Sequence, residues 1–438
     1  MRAERDLGVA LPADAVAQLE AHLEPTEREL ERAAALEREL RHDVMAHIRT
    51  LAEVAPAAGP FLHLGATSCY VTDNADLIIL RRAADLIIER AAHVVAALAA
   101  FARTHRDLPC LGHTHFQPAQ PTTVGKRACL WLADLLLDVE RLEFERDRLL
   151  LRGAKGTTGT QASFLQLLGA GEKVDTLEAR IAAAFDFPGA YPVTGQTSPR
   201  KPEFYLLACL SGVAQSAHKF ATDVRLLSRL KELDEPFGQT QVGSSAMPYK
   251  QNPMRSERIC GLARYLISLE ANAAWTDASQ WLERTLDDSA NRRLALPEAF
   301  LAADAVLLLW RAVAAGLVVH PAMIKRNLDE ELPFIATEEV LLAAAARGGD
   351  RQELHERLRR LALEASRRVK EEGAPNPLLE LIAGEAAFGL DARALAGLLD
   401  AHRFVGRAPD QVDAFLAADV ESWLATHPVG AVDEEPQV

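Results

Sequence analysis

Apolar positions along this chain recur at alternating spacings of three and four, the period of a helix packed against other helices. The clearest run is Leu80, Ala84, Ile87, Ala91, Val94, Leu98 and Phe101. It forms a heptad seam over about six turns. Leu132, Leu135, Val139 and Leu142 mark a second face inside 122–152, a stretch without proline that only Gly125 interrupts. Residues 1 to about 58 read as helical, with Ala33, Leu36, Leu40 and Val44 on one face, until Pro56, Gly59 and Pro60 break the pattern. Further helices are predicted from about Pro202 to Leu233, from Pro253 onward, and from Phe300 to Leu317. No window alternates apolar and polar residues convincingly, so no substantial sheet is expected. The pattern predicts an all-α protein, a long-helix bundle flanked by smaller helical parts. The expected division is 1–66, 67–320 and 321–438, because after Pro321 helices shorten and glycine and proline punctuate the chain. The last eight residues are acidic and expected to fray. The long seams carry more apolar surface than one bundle covers, which predicts self-association.

Polar loops separate these helices. Arg41-His42-Asp43 adds three adjacent polar groups, and read alone it is a solvated part of a helix. Residues 63–74 form a second loop, where Thr72 or Asp73 is placed to cap the next helix. A third holds His105, Cys110, His113, Thr114, His115, Gln117, Pro118 and Pro121. Its histidines lack an acidic or cysteine ligand at a usual spacing, so no metal site is expected. The glycine- and threonine-rich stretch 153–161 lacks Walker spacing, which excludes a nucleoside triphosphatase.

The most informative loop is GSSAMPYKQNP, residues 243–253. Pro248 and Pro253 exclude regular structure inside it, and Asn252 with Pro253 reads as an N-cap and first helical residue. The loop brings two hydroxyls, an ammonium and a carboxamide to the positive end of a helix, which suits an anionic ligand.

Composition narrows the function classes. The chain has 438 residues, 49% hydrophobic and 25% charged, ordinary for a globular protein of two or three domains. A formal net charge of -14 argues against a broad nucleic-acid surface while leaving room for a local basic pocket. The five cysteines, Cys69, Cys110, Cys129, Cys209 and Cys260, form no CxxC pair, which excludes a simple zinc motif and fits a reducing compartment. The N-terminus lacks a signal-peptide core. The longest apolar run, Ala305 to Val319, is interrupted by Arg311, so no membrane span and a cytoplasmic location are expected.

The 243–253 string resembles the signature loop of the fumarase/aspartase superfamily of fumarate-producing lyases. Its continuation through Met254-Arg255-Ser256-Glu257-Arg258 looks most like the adenylosuccinate lyase family, in its vertebrate-type form. Similar matches run along the chain: RHDVMAH (41–47), HLGATSCY (63–70), THFQPAQ (114–120), GTTGTQAS (156–163), RTLDDSANRR (284–293) and GRAP (406–409). The resemblance covers almost the whole chain. It implies an all-α homotetramer whose long helices share one bundle and whose active sites each draw on three subunits. It implies no cofactor and no metal. The implied reaction is β-elimination of fumarate from adenylosuccinate, giving AMP, and from SAICAR, giving AICAR, in purine nucleotide biosynthesis.

The resemblance makes Ser244 the base and His115 the acid. It places Arg41, His42, Asp43, Thr67, Ser68, Thr114, Gln196, Lys250, Asn252, Arg258, Arg284, Ser289 and Arg293 on the substrate. The chemistry asks for such a set. A proton leaves the carbon beside a carboxylate, charge builds on that carboxylate, and the departing nitrogen receives a proton. Serine is a poor base at neutral pH and needs cations, backbone N–H groups or a helix N-terminus to support its alkoxide. Lys250 and the helix beginning at Pro253 are the candidates. A histidine with an ordinary pKa near ~6.5 suits the acid role.

Some departures from the family pattern stand out. Family members carry a few dozen further N-terminal residues, including an Arg-Tyr pair on the nucleotide phosphate, whereas Met1 corresponds to a position inside the next family helix. Gln251 stands where arginine is usual, and Ser198-Pro199 follows Gly195-Gln196-Thr197. Two other readings therefore stand beside the main one: a catalytically weak tetrameric scaffold without the phosphate anchor, and a related fumarate-releasing lyase with another substrate.

Overall fold

The computed structural model describes residues 1–238 and 240–430. The expected fraying of the last eight residues lies outside the described residues. In chain order the elements begin with α1 (Arg2–Asp6), α2 (Ala15–Glu20), α3 (Glu27–Leu40), α4 (Asp43–Val54) and α5 (Ser68–Thr104). A hairpin of β1 (Pro109–Thr114) and β2 (Gln117–Thr123) follows, then α6 (Val124–Asp147), α7 (Ala162–Leu168), α8 (Gly171–Ala184) and α9 (Lys201–Arg229). After β3 (Leu233–Asp234) come α10 (Met254–Ala278), α11 (Asp287–Ala315) and β4 (Val318–Val319). The remainder is α12 (Pro321–Ile335), α13 (Thr337–Ala345), α14 (Arg351–Glu372), α15 (Leu378–Gly384), α16 (Ala392–Ala396), α17 (Ala408–Phe415) and α18 (Glu421–Thr426). The all-α expectation holds. The only sheets among the described residues are the β1–β2 hairpin and the two-residue pair β3–β4.

All seven seam positions of α5 are buried, as are the four apolar positions read on α6. Four local expectations are corrected. The N-terminal stretch is not one helix. It breaks at Arg41, which takes a left-handed φ of 52°, and restarts at Asp43 with His42 as N-cap. The histidine-bearing loop is an antiparallel hairpin; its two prolines argued against a strand, yet a two-stranded ribbon leaves edge positions where the missing N–H costs no ladder bond. Residues 230–234 leave the helical path so that Leu233 can pair with Val319. Lastly, the helix expected from Phe300 begins at Asp287 and carries Pro297 inside it.

The chain gathers into two units. The first comprises Met1–Ile88, Glu140–Ser211 and Leu266–Leu301; the second comprises Glu89–Val139, Gly212–Tyr265 and the described residues from Ala302 onward. In the first, Phe164, Leu168, Val174 and Leu177 close α7 and α8 over Ala154. In the second, the Phe220 ring stacks on Trp310 at 5.3 Å and meets the edge of Trp131 at 5.1 Å. The Trp131 N–H is satisfied by Asp223 at 2.8 Å. A satellite core of Leu341, Leu354, Leu358, Leu378, Ile382 and Phe388 holds the C-terminal helices together. Among the described residues no helix is long and apolar enough to cross a membrane.

Candidate active site

The first unit collects nine of the sequence-predicted residues. His42 Nδ1 accepts the Met45 N–H at 3.4 Å. That leaves the proton of the neutral ring on Nε2, which faces Ser68 Oγ at 3.5 Å. Asp43 Oδ1 accepts the Val44 N–H at 2.8 Å, and its Oδ2 meets Arg293 at 3.4 Å. Thr67 O accepts the Tyr70 N–H at 2.8 Å, so Thr67 and Ser68 open α5. Gln196 N–H donates to Glu283 O at 2.9 Å, and Gln196 Oε1 lies 3.9 Å from Cys69 Sγ. Beside this group, burial and the nearby His42 lower the His63 pKa. The Arg41–His42–Asp43 triplet is thus a helix junction and not a solvated helical stretch.

Two glycines let the loops lie backbone on backbone. A Cβ at Gly159 (φ 81°) would stand 1.8 Å from Thr194 O, and one at Gly195 would stand 2.7 Å from Glu283 O. The 153–161 loop therefore layers on 194–197, which layers on 283–286. Contacts link His42 to Ser68, Asp43 to Arg293, and Gln196 to Glu283, the neighbour of Arg284; Arg41 and Thr67 are chain neighbours of this set, and Ser289 follows Asp288. Arg41 and Arg293 are exposed and Arg284 is partly exposed, so three guanidiniums are available to an anion.

A buried ion network beside these residues was not anticipated. Asp73 was read as a cap for α5; it sits instead inside the helix, 2% exposed. Its Oδ2 accepts from Ser198 N–H at 2.6 Å, Ser198 Oγ at 3.2 Å and Arg200 at 3.1 Å. Ser198, noted as a departure from the family pattern, thus has a definite partner. Arg200 also binds Asp288, at 3.0 Å from Nε. Arg292 grips Glu203 through two nitrogens, at 2.8 and 2.5 Å. Burial alone would lower the Arg292 pKa, and the bonds to Glu203 more than reverse that. The fully buried Arg152 donates to the carbonyls of Gln196 (2.7 Å), Gly153 (3.2 Å) and Gly156 (2.6 Å). Burial pulls its pKa down. Arg152 thus holds the carbonyls of 153, 156 and 196, and Asp73 ties residue 198 to α5. The sequence signal for the network was faint: acidic and basic residues inside the matching strings, with nothing to mark them as buried.

The second unit carries the remaining six. Thr114 and His115 lie at the exposed tip of the hairpin, where Thr114 pairs with Gln117. His115 and Phe116 occupy the two turn positions with φ of 55° and 57°. This primed turn normally takes Asn-Gly, and two bulky residues in left-handed conformation cost roughly 1 kcal/mol or more each. Such strain is retained where a side chain has work to do. The base of the hairpin is firm, with Cys110 and Leu111 buried and the strands packed on α12. His113 sits one pair below the tip, opposite Pro118. Burial and Arg127 lower its pKa, and its ring stacks on Phe116 at 5.7 Å.

In the signature loop, Ser244 Oγ accepts two backbone N–H groups, from Met247 at 3.1 Å and Ala246 at 3.3 Å. Two donors converging on one hydroxyl oxygen are suited to holding negative charge there. Asn252 does not cap α10. Its Nδ2 donates to Gly243 O at 2.8 Å and ties the two ends of the loop together. The cap comes from Glu235, whose carboxylate accepts the N–H groups of Arg255 and Ser256, each at 2.9 Å, and the Ser256 hydroxyl at 2.8 Å. The helix end that the sequence offered to an anion is therefore already occupied. Lys250 is exposed on the loop, and Arg258 is exposed near the start of α10.

Comparison with known proteins adds a separate line of evidence. Residues 2–267 match the lyase family, and residues 333–415 match the adenylosuccinate lyase C-terminus. The chain is 51% identical to adenylosuccinate lyase of Saccharomyces cerevisiae over 424 residues, 96% of this chain and 88% of the yeast protein. It is 50% identical to that of Schizosaccharomyces pombe over 425 residues, 97% and 88% of the two chains. The crystal structure of a fumarate lyase from Mesorhizobium sp. BNC1 is similar at TM-score 0.79 and 29% identity, over 95% of this chain and 92% of that one.

Proposed function

This chain belongs to the adenylosuccinate lyase family and is a lyase, and from that premise we propose that it expels fumarate from adenylosuccinate, giving AMP, and from SAICAR, giving AICAR. Both steps serve purine nucleotide synthesis. The observation that carries the mechanism is the pair of backbone donors on Ser244 Oγ. They make an alkoxide at that atom affordable, and the Lys250 ammonium adds to the same effect.

In the proposed reaction Ser244 takes a proton from the carbon beside a succinyl carboxylate. The electron pair spreads into that carboxylate as an aci-carboxylate. It then returns to form the fumarate double bond as the C–N bond breaks. His115 gives its proton to the departing nitrogen. Arg41, Arg284 and Arg293 grip the carboxylates and phosphate, with His42, Asp43, Thr67, Ser68, Thr114, Gln196, Arg258 and Ser289 completing the contacts. Asn252 reaches the substrate when its bond to Gly243 O is exchanged for one to the ligand as the loop closes.

The working form we propose is a homotetramer with active sites shared between subunits, in the cytoplasm. Exposed Leu130, Leu137 and Phe144 along α6 support burial against other copies, and five buried cysteines, none in a disulfide, fit a reducing compartment. In that assembly residues 67–320 supply the core, with 1–66 and 321–438 as flanking domains.

The test is fumarate release followed by ultraviolet absorbance over a panel of adenylosuccinate, SAICAR, argininosuccinate and a carboxymuconate. Turnover of the first two alone is expected. Turnover of only the latter two would replace the substrate reading, and no turnover at high substrate would favour the scaffold reading.

A further inference from the structure

Arg284 is unusual among the guanidiniums of the first unit. It makes only a long ion pair with a buried carboxylate, through one nitrogen, and no hydrogen bond. Its NH1 is 3.6 Å from Asp288 Oδ2, beyond hydrogen-bond reach, and its side chain is 24% exposed. Asp288 is engaged elsewhere. Arg200, 1% exposed, places both Nε (3.0 Å) and NH2 (2.8 Å) on that same Oδ2. Its NH1 binds Asp73 and Ser198 Oγ, each at 3.1 Å. Asp288 Oδ1 is buried and has no hydrogen-bond partner.

We propose that Arg200 is a positioning residue: by holding Asp288, it keeps the Arg284 fork free for the anionic substrate. The physical argument is competition. A buried carboxylate with one unsatisfied oxygen takes the nearest planar fork bidentately unless something else fixes it. Arg284 stands four residues before Asp288, across the start of α11, so after Arg200 it is the next fork within reach. Arg200 spans Asp73 and Asp288 at once, which fixes the carboxylate plane and turns a possible partner of Arg284 into a mere neighbour. Lysine has one ammonium where arginine has a rigid fork, and it cannot serve both carboxylates in this geometry.

The proposal rests on Arg284 being a substrate grip, so the experiment separates the two. Steady-state kinetics on adenylosuccinate are measured for Arg200→Lys, Arg200→Lys with Asp288→Asn, Asp288→Asn alone, and Arg284→Ala. For Arg200→Lys the expected result is a KM raised roughly 10-fold with kcat within about threefold of the parent. The double variant, which removes the competing charge, should return KM to within about threefold. Asp288→Asn alone should leave KM at or below the parent value, and it decides the matter if Arg200→Lys fails to fold. A KM unmoved by Arg200→Lys, no rescue in the double variant, or a roughly 10-fold rise in Asp288→Asn overturns the proposal. If Arg284→Ala leaves KM at the parent value, the grip reading itself fails.

Discussion

Glu235 offers the sharpest stability test. It lies 4% exposed, and its two carboxylate oxygens accept three hydrogen bonds at the start of α10, two from the N–H groups of the first turn and one from the Ser256 hydroxyl. Helix caps are worth about 0.5–2 kcal/mol, and a carboxylate in a partly buried helix N-terminus adds up to ~2 kcal/mol. Removal also strands two buried donors, so Glu235→Ala should cost about 3 kcal/mol. Glu235→Gln keeps the shape and one good acceptor while turning an amide N–H toward another donor; about 1.5 kcal/mol is expected. The assay is urea denaturation at one fixed protomer concentration, because subunit association contributes to the midpoint. The same carboxylate anchors the base of the loop that holds Ser244, so kcat/KM should fall at least ~10-fold in the alanine variant. A loss below about 0.5 kcal/mol in Glu235→Ala would refute the capping argument.

Other tests follow from single features. Burial pushes the Asp138 pKa from 3.8 to about 6, against the bond from Ser216, with Asp134 adding to the rise. Ionising this group therefore costs folding free energy that is absent below about pH 4 and fully present above about pH 6, so Asp138→Asn should gain up to about 3 kcal/mol at pH 8 and nothing at pH 4. Parallel denaturation curves at the two pH values check the sign. Gly159→Ala places a methyl 1.8 Å from Thr194 O at a φ of 81°. It should lose at least ~2 kcal/mol and raise KM, read from melting and steady-state kinetics together.

The long helices were legible because burial there follows a strict period. Every seam residue from Leu80 to Phe101 is inside. The hairpin was not legible, because Pro118 and Pro121 speak against strand and only pairing with β1 overrides them. The proposed site residues stand out in sequence as polar residues in loops, and as a set through the resemblance. Their supports were not. Asp73, Arg152, Arg200 and Asp288 look like ordinary surface charges in sequence, and only three-dimensional closure buries them together. Asn252 misled for a related reason. Its place before Pro253 fits a cap, yet a carboxylate from Glu235, distant along the chain, reaches the helix end and leaves Asn252 to close the loop.

The central claim is that Ser244 and His115, from different copies of the chain, act on one succinylated substrate. Ser244→Ala and His115→Ala should each slow fumarate release by at least ~10²-fold. Co-expressed with different tags and purified as hybrids, the two inactive chains should recover up to about a quarter of parent activity, because one site in four then combines an intact serine with an intact histidine. Hybrids as inactive as either parent, or a single variant with near-normal turnover, would contradict the account.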